Sequence, residues 1–187
     1  MRKPGLYFIV ACIVLSLLAL MPTAHVKAAN GNIVGTWIIT VTVNTPPSAP
    51  PFVFTDLIAF NSGGTLTAAS TIFNAHTSEN PLLPPPLVVD TSDGYGAWKS
   101  MGDDSNQFAV TFNRFLFAGA RTSTELYGSF FPGQYVGKTT VQAVGTPDGD
   151  SISGSFTNQF VNLGGQTVFA GSGTFTGTRL KIEPLTS

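Results

Sequence analysis

Charge is scarce in this sequence, and thiols and imidazoles are scarcer. Only 10% of its 187 residues are Asp, Glu, Lys or Arg, with nine basic against ten acidic side chains and a formal net charge of −1. A nucleic-acid-binding chain normally carries a basic excess, and none is present. One Cys excludes a disulfide framework and a thiolate zinc site. Two His leave little for an all-protein metal centre, and no cofactor motif is found. Disorder is excluded from the other side: 43% of residues are hydrophobic and 15 are Phe, far too much apolar surface for an unfolded chain of low charge.

The first 28 residues have the layout of an export signal. Arg2 and Lys3 precede an apolar run from Leu6 to Leu20, and Val26-Lys27-Ala28 places small side chains where signal peptidase needs them. The run falls short of the roughly 20 residues that span a bilayer. Ile9-Val10-Ala11-Cys12 loosely matches a lipidation box, but the apolar run continues past Cys12. The expectation is a signal peptide over residues 1–28 and one domain over 29–187, secreted or periplasmic, with no stable membrane insertion after cleavage. Loss of Arg2, Lys3 and Lys27 leaves six basic and ten acidic residues, a net charge of −4.

No helical period survives beyond residue 30. Instead, β-branched and aromatic stretches alternate with Gly, Pro, Asn and Asp turns. The pattern predicts eight strands: 33–43, 52–61, 65–74, 94–101, 107–117, 135–144, 151–161 and 166–182. In the first, Trp37, Ile39, Val41 and Val43 share one face and Thr36, Thr40 and Thr42 the other. No segment suits a parallel crossover helix, so the simplest closure is a single eight-stranded antiparallel up-and-down barrel.

Gly35-Thr36-Trp37 at the start of the first strand resembles the G-x-W signature of lipocalin-like (calycin) barrels. In that family the Trp closes one end of the barrel and an Arg of the last strand packs over its ring. The resemblance implies those roles for Trp37 and Arg179, with Gly35 beside them. The chain is also similar in outline to a group of exported bacterial proteins. These share a GTW first strand, a Phe-x-x-Gly-Gly-Thr hairpin (Phe60 to Thr65) and a Gly-Thr-Arg last strand (Gly177 to Arg179).

Catalytic sets are not evident. No G-x-S-x-G elbow exists, and His76 is the one His beyond the leader, beside a Pro-rich loop. Most acidic residues, Asp103, Asp104, Asp148 and Asp150 among them, fall in turns, where an Asp carboxylate bonds its own backbone, and they lack a calcium-loop ligand series. Asp56 and Arg114 are different. By period two, Asp56 shares a face with Phe54, Ile58 and Phe60, and Arg114 with Phe108, Val110 and Phe112. If those faces point inward, an acid and a guanidinium enter an apolar lumen, where charges are costly unless paired. The candidate ligand wall is therefore Asp56, Arg114, Tyr95, Trp98 and Phe112, with the apolar loops Leu82 to Val89 and Phe130 to Gly133 as candidate lids. Three readings stay open: a barrel binding a small apolar or amphipathic ligand, a cyclase or isomerase resembling allene oxide cyclase or dirigent proteins and using Asp56, Arg114 and Tyr95, and a filled structural or surface-interaction barrel. A cavity above about 300 Å³ walled by Asp56 or Arg114 favours the first two.

Overall fold

The computed structural model describes residues 33–45, 51–72, 83–102 and 106–181. The expected signal peptide, Cys12, His76 and Asp103 to Ser105 lie outside them. The strands are β1 (Gly35–Val43), β2 (Phe52–Phe60), β3 (Thr65–Ser70), β4 (Asp90–Thr91), β5 (Gly94–Ser100), β6 (Phe108–Phe117), β7 (Tyr135–Asp148), β8 (Ser151–Asn162) and β9 (Thr167–Arg179). A single turn of 3₁₀ helix covers Pro85–Leu87, and a short helix, α1, covers Thr124–Tyr127.

Every pairing is antiparallel. The ring runs β1-β2-β3-β5-β6-β7-β8-β9 and returns to β1, with Trp37 opposite Arg179 at one seam and Phe108 opposite Gly145 at another. This is the closed eight-stranded barrel expected from the alternation, with no free edge among the ring strands. The additional strand, β4, is a continuation of β5 along the same side of β6. Thr91 pairs with Leu116 and Tyr95 with Asn113, so the β4–β5 side carries one extra residue, a bulge around Ser92 and Asp93. There the Ser92 hydroxyl accepts from the Phe115 N–H at 3.0 Å, in place of a ladder carbonyl.

β7 runs past its expected end at Val144, through Pro147 to Asp148. Pro147 is tolerated because it lies beyond Gly145, the last β7 residue paired with β6, so the ladder requires no N–H from it on that side. Gly149, with φ +59°, then makes the tight turn into β8.

Alternation puts apolar side chains in the lumen, and Thr36, Thr40, Thr174, Thr176, Ser151, Ser153 and Ser155 point outward. Apolar side chains stand on the outer face as well, Ile38, Val53, Leu57, Phe115 and Val144 among them. No helix among the described residues is long and apolar enough to cross a membrane.

The two ends close differently. At the lower end Trp37 is fully buried, and its indole N–H donates to the Ile33 carbonyl at 2.8 Å. The Arg179 guanidinium lies 4.3 Å from the ring centroid and donates to the Val34 carbonyl at 2.5 Å. Gly35 makes this possible: its φ is +133°, and a Cβ there would come within 2.6 Å of Arg179 Nη1. Phe60, Trp98 and Phe108 pack edge to face beside this closure. The upper end is covered by chain rather than sealed by one residue. Leu83, Leu87, Val88 and Val89 are buried against Leu116, Tyr127, Val136 and Phe160. Thr122 fastens this cover, donating to the Val88 carbonyl and accepting from the Gly119 N–H, each at 2.8 Å. The Tyr127 hydroxyl donates to the Pro86 carbonyl at 2.9 Å.

Candidate functional site: a polar ring inside an apolar lumen

Between these closures lies a cavity of about 90 Å³. One water needs roughly 10–15 Å³ on this scale, so the space suits roughly six to nine non-hydrogen atoms. The wall does include Asp56 and Arg114, but the volume falls short of the roughly 300 Å³ expected of a ligand-holding barrel, so by size alone the filled barrel is favoured. Its wall is mostly apolar: Val41, Ile58, Phe112, Val141, Phe156 and Phe175 contribute, with Leu87 reaching in from the cover. The size follows from packing. Phe175 lies against Gly145 and Gly154, where a Cβ would come within 2.8 Å and 2.6 Å of its ring, so glycine lets this Phe fill the lower lumen.

Asp56 and Arg114 both enter the cavity. Period two on β2 and β6 turns them inward, leaving their residues 5% and 3% exposed. Arg114 Nη2 donates to Asp56 Oδ2 at 3.2 Å, although β2 and β6 are separated by β3 and β5. The bridge therefore crosses the lumen instead of following the wall. Burial pushes the Asp56 carboxyl above the usual carboxylate range, against the lowering effects of the Arg114 charge and the Ser70 hydroxyl. Burial likewise pulls the Arg114 guanidinium below its ordinary value, against the raising effects of Asp56 and Asp93. For both partners, loss of water outweighs the opposite charge, the usual situation of a buried pair. Arg114 also lies 5.5 Å from the centroid of the Phe112 ring.

Further polar groups extend this pair into a ring. Ser70 is the register partner of Asp56 on β3, and Thr139 that of Arg114 on β7. Asn158 on β8 is a diagonal neighbour of Thr139, since it pairs with Val141. Thr139 and Asn158 stand in the cavity wall with Asp56 and Arg114. Asp56 Oδ1, Thr139 Oγ1 and Asn158 Oδ1 are buried and make no hydrogen bond within the described residues. Among those residues no three His, Cys, Asp or Glu side chains converge as metal ligands.

Of the residues expected from sequence at a ligand wall, Asp56, Arg114 and Phe112 come together around the cavity. Trp98 does not line it. It faces inward at the lower end, stacks edge-on against Phe60 at 6.3 Å and donates to the Asn61 carbonyl at 3.0 Å. Tyr95 is a correction: it is 59% exposed on the outer face. Gly94 and Gly96 take the inward positions against Phe112, so the pleat turns Tyr95 out. The trio Asp56, Arg114 and Tyr95 is therefore not assembled. The expected lids divide as well: Leu87 lines the lumen, Phe130 packs half-buried on the cover, and Phe131 is 80% exposed. Thr139 and Asn158 were missed, yet they are the polar interruptions in the otherwise apolar or glycine inward positions 139–145 and 152–160 of their strands. Compared with protein-family models, curated proteins and solved structures, the chain matches none.

Proposed function

We propose that the chain is exported with loss of residues 1–28 and that the barrel then binds a small amphipathic molecule in its lumen. One observation carries this reading: a mostly apolar cavity, covered at its upper end by packed chain, has acceptor groups set into its wall. Burying ionisable and polar side chains in such a place costs stability unless they are paired, and the Asp56–Arg114 bridge leaves acceptor oxygens beside it unpaired. The likeness of Gly35-Thr36-Trp37 and Arg179 to lipocalin-like barrels supports the same reading. The volume limits the ligand to a single ring or a short chain unless the cover moves. That small volume also favours a second reading, a filled barrel acting as a structural domain.

A titration of the ¹⁵N-labelled mature chain decides between them, using toluene, phenol, cyclohexanol and hexanoate at millimolar concentration. Binding predicts saturable amide shifts centred on the lining segments of β2, β6, β7 and β8. No saturable shift with any of the four compounds leaves the filled barrel as the answer.

A further inference from the structure

Resting on that reading, we infer that the ligand carries one neutral hydrogen-bond donor, an alcohol, phenol or amide N–H, which the ring of Asp56, Thr139 and Asn158 receives. Three observations point to this class. Three buried oxygens in the wall, Asp56 Oδ1, Thr139 Oγ1 and Asn158 Oδ1, can accept and have no hydrogen bond within the described residues, while the donors of the Arg114 guanidinium stand on the same wall, so a hydroxyl or amide, which donates and also accepts, suits the set. Thr139 is 2% exposed and Asp56 5% exposed, so bulk water does not compete freely for them. The charges of the ring already cancel within the Asp56–Arg114 bridge. An anionic head would face the Asp56 carboxylate, a cationic head would face the Arg114 guanidinium, and either would also lose its own hydration. A neutral donor completes the ring without adding charge. The rest of the molecule meets Val141, Phe156 and Phe112.

Toluene and phenol test this directly, because they have the same shape and differ by methyl against hydroxyl. In a purely apolar cavity toluene binds more tightly, since the buried hydroxyl finds no partner. The expected result here is that phenol binds the mature chain at least as tightly as toluene, and at least about tenfold more tightly than benzoate. Thr139→Val, which removes the acceptor at nearly constant shape, should weaken phenol roughly three- to tenfold and leave toluene unchanged. Asn158→Leu gives the same comparison on the neighbouring strand. Toluene ahead of phenol, or benzoate ahead of both, overturns the donor assignment while leaving lumen binding intact. Unchanged phenol affinity in both variants also overturns it. If benzoate and all four compounds of the first titration fail to bind, the lumen-binding reading itself falls.

Discussion

Breaking the Asp56–Arg114 bridge from one side should cost far more than removing it whole. Both side chains are almost fully buried, 3% exposed for Arg114 and 7% for Asp56. Truncating one partner of such a pair strands the other charge in an apolar lumen, at about 3–5 kcal/mol. With a urea slope of about 2 kcal/mol/M, the unfolding midpoint of Asp56→Leu or Arg114→Met should drop by roughly 1.5–2.5 M. The double variant Asp56→Leu/Arg114→Met fills the same space with apolar atoms. It should unfold within about 1 kcal/mol of the parent or higher, giving a coupling energy of at least about 5 kcal/mol. Tryptophan fluorescence in urea reads all four proteins. The two singles should also differ with pH. In Arg114→Met the burial that raises the Asp56 carboxyl is no longer opposed by the guanidinium, so its pKa moves higher still. A raised acid contributes most stability below its unfolded value, and that contribution fades as pH rises through the folded value. This variant should therefore regain stability between pH 7 and pH 5. In Asp56→Leu the guanidinium stays charged throughout, so its deficit should not recover. Singles within about 1 kcal/mol of the parent, or a double as damaged as the sum of its parts, would refute a buried, mutually compensating pair.

Three further outcomes follow. Gly35→Ala should lower stability and release Arg179 from the Trp37 ring, because the new Cβ meets Nη1 at 2.6 Å and φ is +133°; Arg179→Met alone should cost about 0.5–2 kcal/mol, read by thermal unfolding. Thr122→Val strands the Gly119 N–H and the Val88 carbonyl, so it should cost about 1–3 kcal/mol and speed hydrogen exchange across residues 83–89 more than in β8. Asp150 bridges Lys181 and Arg179, which hold its carboxyl below its ordinary 3.8; a carboxyl lowered on folding supports the fold above its unfolded value and loses that support as pH falls, and in Lys181→Ala the Asp150 carbon-13 midpoint should move back up.

Much of this architecture was legible from alternation alone. Trp37, Ile39 and Val41 on one face, and Asp56 among Phe54, Ile58 and Phe60, read correctly because a strand's pleat has a fixed period and one buried side. The closure of Trp37 by Arg179 was implied by a resemblance, and the register opposition of these two residues places them together. What the sequence withheld was distance through space. Asp56 and Arg114 lie on strands that are not neighbours, so their contact depends on the barrel's width, which no local pattern encodes. The bulge at Ser92 and Asp93 was also hidden, since it needs the partner strand's register. Tyr95 was a different kind of miss: the same parity that placed Asp56, applied between Gly94 and Gly96, turns it outward. Thr139 and Asn158 were readable as polar breaks in apolar faces, but acquired meaning only once β7 stood beside the strand of Arg114 and β8 beside β7.

The account stands or falls on whether the lumen is hollow at the level of the polar ring. Xenon answers this directly, because a pressurised crystal of the mature chain takes the gas into apolar space large enough for it. The account predicts xenon density among Phe112, Val141 and Phe156, next to an intact Asp56–Arg114 bridge. A lumen without xenon, with side chains packed across that level or the bridge opened outward, would contradict it.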